Sequence, residues 1–185
     1  RHLLTIPPGV PAPATLRIEA GLYDARNGER LAAGSTDRVA LADIAVAPAP
    51  GDLPNAGAID FDGKLILAGY DVDRRRVAPG EPVTLTMWWD AAAPMARDYV
   101  AFAHLLLPPD AVWAQDDRLL ELDGARTSTW AVGDRLRAQY TLALPATAPT
   151  GIYRIEVGIY DKDTYARLPV GGSEQGVVLA QIKIE

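Results

Sequence analysis

The stretch "IYRIEVGIYD", Ile152 to Asp161, alternates apolar and polar residues: Tyr153, Ile155, Val157 and Ile159 fall on one side, Arg154 and Glu156 on the other. A period of two with one apolar face is the signature of a strand covered on one side. "PVTLTMWWDA", Pro82 to Ala91, reads the same way, with Val83, Leu85, Met87 and Trp89 inward and Thr84, Thr86, Trp88 and Asp90 outward. "RLRAQYTLAL", Arg135 to Leu144, sets Leu136, Ala138, Tyr140, Leu142 and Leu144 against Arg135, Arg137, Gln139, Thr141 and Ala143. Turn residues punctuate these runs at Ala78-Pro79-Gly80-Glu81, Val132-Gly133-Asp134, Ala148-Pro149-Thr150-Gly151 and Gly171-Gly172. The pattern predicts an all-β chain with about nine strands after Asp60, folded as an antiparallel two-sheet sandwich of the Ig-like or jelly-roll kind. Its core is expected to hold Val83, Leu85, Met87, Trp89, Val100, Phe102, Tyr140, Leu142, Tyr153, Ile155, Val157 and Ile159.

The same words occur twice. "RIEAGLYD", Arg17 to Asp24, matches "RIEVGIYD", Arg154 to Asp161, and "ERLAA", Glu29 to Ala33, matches "ARLPV", Ala166 to Val170, at a shift of 137. "LADIAV", Leu41 to Val46, matches "LAQIKI", Leu179 to Ile184, at 138. A strand, turn, strand, strand unit is therefore repeated, and "APAPGDLPNAG", Ala47 to Gly57, reads as an extended connection between the copies. The expected organisation is residues 1–48 as the C-terminal third of a preceding module, 49–60 as a linker and 61–185 as a complete module. By the same shift the preceding module would begin about 76 residues upstream, and the first residue, Arg1, fits an excerpt or a processed product. An orphan third leaves the apolar side chains Leu16, Ile18, Ala20, Leu22, Ile44 and Val46 in need of a cover, either the complete module or, by a slight preference, a homodimer formed through residues 1–48.

Charge and composition narrow the partners. The chain has 185 residues, 49% of them hydrophobic, with 18 basic against 24 acidic residues, and so a formal charge of -6. Its longest basic run is Arg74-Arg75-Arg76, which makes nucleic acid a poor partner and reads as a solvated turn. Cysteine is absent, which excludes disulfides and thiolate metal sites. No apolar run approaches the roughly 18 residues of a membrane-spanning helix.

Several motifs in fixed order carry a resemblance. These are Gly69-Tyr70 after the first strand, the turn Pro79-Gly80-Glu81, "WWDA" at a strand end, "DYVAFAHL" from Asp98, "QDD" from Gln115 and "TSTWAVG" from Thr127. From Leu65 to Ile184 the chain resembles the β-sandwich modules that follow the membrane-spanning part of bacterial dolichyl-phosphomannose/arabinosyl-transferase-like glycosyltransferases, common in Chloroflexi-type bacteria. It departs from them at "LPPDAVWAQDDRLLELDGA", Leu107 to Ala125, where that family has a tight Asp-Gly hairpin. The resemblance implies a non-catalytic, extracytoplasmic accessory or spacer module, because the family's transferase chemistry lies in its membrane part. Its expected partners are neighbouring modules of the same polypeptide.

His104, with only His2 for company, assembles neither a metal site nor a nucleophile triad, so no catalytic residue, cofactor or metal is assigned. Asp116, Asp117, Glu121 and Asp123 form the densest acidic cluster, without a calcium-loop pattern. Trp113, Trp130 and Trp88 are the candidate ligand-binding residues. If exposed, their rings would stack on sugars, giving a carbohydrate-binding module as the alternative to a spacer. Tyr23-Asp24 and Tyr160-Asp161 occur in both copies and read as turn-forming pairs.

Overall fold

The computed structural model describes Leu4 and residues 14–46, 53–173 and 176–185; His2 and residues 49–52 of the expected linker lie outside them. The chain divides into two compact units, one within Ala12–Pro48 and one within Ala49–Glu185.

The first unit is a hairpin of β1 (Ala14–Ala20) and β2 (Val39–Val46). The second contains β3 (Ile59–Phe61), β4 (Leu65–Val72), β5 (Arg76–Val77), β6 (Pro82–Ala91), β7 (Tyr99–Leu107), β8 (Ala111–Leu119), β9 (Glu121–Leu122), β10 (Ala125–Arg126), β11 (Arg135–Ala143), β12 (Gly151–Asp161) and β13 (Val177–Ile184). Ten strands thus begin after Asp60 among the described residues, and β5, β9 and β10 have two residues each. A four-stranded sheet of order β11-β6-β4-β3 packs on a five-stranded sheet of order β5-β13-β12-β7-β8. This is the expected sandwich, and one pair departs from the antiparallel rule: β5 runs parallel to β13.

The alternating faces predicted from sequence meet in the core. Val83, Leu85, Met87 and Trp89 of β6 and Tyr140 and Leu142 of β11 face Tyr153, Ile155, Val157 and Ile159 of β12, all fully buried. Side chains of this size contribute about 1.5 to 3 kcal/mol each when fully buried. The Tyr70 hydroxyl donates to Leu179 O at 2.7 Å, tying one sheet to the other. The turns close as their residues require: Gly80 and Gly133 take φ of 93° and 94°, where a side chain would be strained.

Two expectations are corrected. Val100 and Phe102 are buried, but on the outer side of β7, while Tyr99, Ala101, Ala103 and Leu105 enter the core. The strand is covered on both faces, so "YVAFAHLLL" shows no alternation to read. The linker reading also ends early. From Leu53 the chain lies along β4, where Gly57 N donates to Ala68 O and Tyr70 N to Pro54 O, each at 3.0 Å. A Cβ on Gly69 would lie 2.8 Å from both Leu53 Cβ and Pro54 O, so the glycine makes room for this segment.

Candidate functional site

The candidate tryptophans are not surface platforms. Trp130 is buried, at 5% exposure, and its Nε1 donates to Ala125 O at 3.0 Å, so the ring closes one end of the sandwich and is not offered to a ligand. Trp113 is the extra residue of a bulge in β8, half-buried against the core with its indole N–H enclosed. Trp88 is half-buried, and the Arg137 guanidinium lies over its ring at 5.7 Å.

Two members of the acidic cluster, Asp116 and Asp123, serve the fold. The Asp116 carboxylate accepts from Thr141 N at 2.8 Å and from Arg118 Nη2 at 2.9 Å, fastening β8 to the edge of β11. Asp123 and Gly124 form the turn between β9 and β10 with φ of 52° and 83°, a tight Asp-Gly hairpin after all. Among the described residues no three His, Asp or Glu side chains converge as a metal site would need.

A different cluster lies on the outer face of the five-stranded sheet. Phe102 is paired in register with Gly158 of β12 on one side and Asp117 of β8 on the other. A Cβ on Gly158 would fall 2.3 Å from Phe102 Cζ, so the glycine lets the ring lie flat across its neighbour strand. His104 stacks on Phe102 with centroids 4.5 Å apart, and Arg167 covers the ring at 4.6 Å. Beside them the Tyr160 hydroxyl donates to Asp117 Oδ2 at 3.0 Å, and His104 Nε2 lies 3.8 Å from the other oxygen of that carboxylate. Burial pushes the Tyr160 hydroxyl up to about 12, with the Asp117 bond acting in the same direction. Burial also holds the His104 imidazolium below its ordinary range, against the pull of Asp117, and raises the Glu156 carboxyl beside it.

The outermost member is Tyr165. Its ring stacks on Tyr160 at 5.8 Å, nearly parallel, yet the residue is 73% exposed. It sits on a tight turn built by Asp161, whose Oδ1 accepts from Asp163 N at 2.8 Å and Thr164 N at 3.0 Å and whose carbonyl accepts from Tyr165 N at 2.9 Å. The turn holds Tyr165 at φ 60°, a left-handed conformation that costs a bulky residue on the order of 1 to 3 kcal/mol.

The first hairpin shows what the turn needs. There Gly28 stands at the position of Tyr165, with φ 75° and its N–H donating to Asp24 O at 2.8 Å. Asp24 Oδ1 accepts from Arg26 N at 2.9 Å as Asp161 does from its own turn, so the expected role of the repeated aspartate is realised in both units. The repeated tyrosine does something else: Tyr23 is 68% exposed, while Tyr160 turns its hydroxyl to Asp117. Sequence reasoning missed the ledge that Tyr165 and Tyr160 make beside Asp117, although setting "DARNGER" beside "DKDTYAR" displays a tyrosine where a glycine suffices.

Two hollows lie elsewhere on the described surface. One of 430 Å³, on the Arg97 side of the same turn, is crossed by the Arg97–Asp161 ion pair at 3.2 Å. Another of 560 Å³ lies against the first hairpin, with Arg30 and Arg38 held by Asp37 at 3.1 Å each. The second is lined by the exposed Tyr23, which has no ring stacked against it as Tyr160 is against Tyr165 among the ring pairs of the described residues.

No protein-family model and no curated protein matches the chain. Among solved structures it is similar to a Niemann-Pick type C2 protein from the Japanese carpenter ant, at 9% identity and a TM-score of 0.40, over 70% of this chain and 95% of that one. It is similar to the C-terminal domain of Wzt at 12% identity and a TM-score of 0.42, over 68% and 74%. A third likeness is to Spo0M, a sporulation control protein from Bacillus subtilis, at 14% identity and a TM-score of 0.28, over 69% of this chain and 49% of that one.

Proposed function

We propose that the chain is a non-catalytic β-sandwich module together with the C-terminal third of a like module before it, from the extracytoplasmic part of a larger bacterial surface or membrane protein. The glycosyltransferase-associated modules that its motifs resemble are the context this reading favours. The observation that carries it is the identity of the two hairpins in register. Arg17 pairs with Asp43 and Ile18 with Ala42 before a bulge, as Arg154 pairs with Gln181 and Ile155 with Ala180 before a bulge at the same place. The isolated bridges Tyr23 to Arg30 and Ala33 to Thr36 recur as Tyr160 to Arg167 and Val170 to Ser173. A chain that builds one supersecondary unit twice to this detail is stringing copies of one module, and a series of modules acts as a spacer or scaffold.

Apolar side chains of the first copy are open among the described residues. Leu22, Val39 and Leu41 are 72%, 51% and 63% exposed, and an isolated two-stranded hairpin is marginal in water. Its natural cover is the sheet of its own module, so neighbouring modules of the same polypeptide are the partners. Hydrogen exchange on a chain extended upstream by about 76 residues tests this. Amides of Leu16 to Ala20 and Leu41 to Val46 should then gain protection equal to that of β12. Unchanged exchange in the extended chain, or a 185-residue chain that is a stable dimer with those amides already protected, would replace the tandem reading with strand exchange between chains.

A further inference from the structure

We propose that the ledge formed by Tyr165, Tyr160 and Asp117 on the outer face of the five-stranded sheet is a binding site for a neutral pyranose sugar. This goes beyond a spacer role and stands on different residues. Three observations converge on it. The first is the contrast between equivalent turns: both are built by an aspartate and both put one residue at left-handed φ, but Gly28 fills that place in one and Tyr165 in the other. The turn itself asks for glycine, so folding does not account for the tyrosine. Burial does not account for it either, since the residue is 73% exposed.

The second observation is the surface so made. Tyr165 lies beside the nearly parallel ring of Tyr160, with centroids 5.8 Å apart and an interplanar angle of 21°, and stays 73% exposed. The C–H face of a pyranose is the flat, weakly apolar partner that such a ring accepts. The third is what surrounds the ring. Asp117 already takes the Tyr160 hydroxyl on Oδ2, and its Oδ1, facing His104 at 3.8 Å, keeps acceptor capacity for a ligand hydroxyl; its side chain is 32% exposed. A stacked and open ring and a carboxylate held by the hydroxyl of half-buried Tyr160 form the two halves of a sugar site, a platform and a hydroxyl acceptor. Phosphate-bearing ligands fit less well, because Asp117 and the half-buried Glu156 bring negative charge to the face and Arg167 is engaged over Phe102.

The test uses the intact chain and ligand-observed saturation-transfer NMR, with neutral gluco-, manno-, galacto- and N-acetylglucosamine oligosaccharides as probes. At least one probe should bind with millimolar or tighter affinity. Tyr165→Gly should weaken that binding at least tenfold while the melting transition is retained, since glycine serves in the equivalent turn. Tyr165→Phe should keep most of it, and Asp117→Asn should weaken it several-fold. Trp88→Ala should leave it unchanged. Absence of binding to every probe, equal binding by Tyr165→Gly, or loss of binding in Trp88→Ala with Tyr165→Gly unaffected would overturn the assignment.

Discussion

The hairpin β1–β2 and the hairpin β12–β13 differ in almost nothing that local sequence controls. They share register, bulge position, the aspartate-built turn and the bridge that follows it. They differ in cover. Tyr153, Ile155, Val157 and Ile159 are buried completely against the four-stranded sheet, whereas their counterparts Leu16 and Ile18 are half-buried and Ala20 and Leu22 exposed. Local chemistry thus suffices to specify a hairpin's geometry, while its stability comes from the sheet it faces.

The sharpest way to break that comparison is to remove the cover's largest side chain. Trp89→Ala should cost about 3 to 5 kcal/mol, measured by denaturant unfolding. A midpoint that does not move would mean that the sandwich core is not what holds β12–β13. Next in size is a matched pair: Ile155→Ala should cost about 2 to 5 kcal/mol and the equivalent Ile18→Ala less than about 1 kcal/mol. Equal losses would show that the first hairpin is as well covered as the second.

Gly158→Ala probes the outer face and should cost about 1 to 3 kcal/mol, because the new methyl displaces the Phe102 ring. The cost should shrink by at least about 0.5 kcal/mol in a Phe102→Leu background, read as a coupling in a double-mutant cycle.

The smallest effect is electrostatic. Backbone N–H donors, Thr164 first, hold the Asp161 carboxyl below its ordinary value of 3.8. A lowered folded-state pKa stabilises the protein above the unfolded value and loses that stabilisation as pH falls through the folded one. The melting temperature should therefore drop below about pH 4, and Asp161→Asn should flatten that drop. An Asp161→Asn profile parallel to the parent would place the acid sensitivity elsewhere.

The fold was legible where one face of a strand is polar. "PVTLTMWWDA" and "IYRIEVGIYD" displayed their inward sets in full, and each glycine turn fell where its dihedral requires. "YVAFAHLLL" was not legible, because a strand buried on both faces carries no periodicity; small Ala101 and Ala103 face the core while the larger Phe102 finds burial outside, under Arg167. Tryptophan identity misled for a related reason. Trp130 reads as a sugar platform until the 3₁₀ turn Thr127–Thr129 folds it inward, a long-range outcome set by the Thr127 hydroxyl, which accepts from Tyr99 N and donates to Arg97 O, each at 2.9 Å. The ledge was visible only as a difference between copies.

One of the two-residue strands of the second unit guards a sheet margin. The two residues of β5 pair with the outer edge of β13, with Lys183 N donating to Arg75 O and Glu185 N to Val77 O, while at the far edge of the same sheet Asp116 fastens β8 to β11. An open edge is a template on which any passing strand polymerises. With one margin hemmed by β5 and the other stitched to the opposite sheet, the long strands of the five-stranded sheet are withheld from pairing with a passing strand.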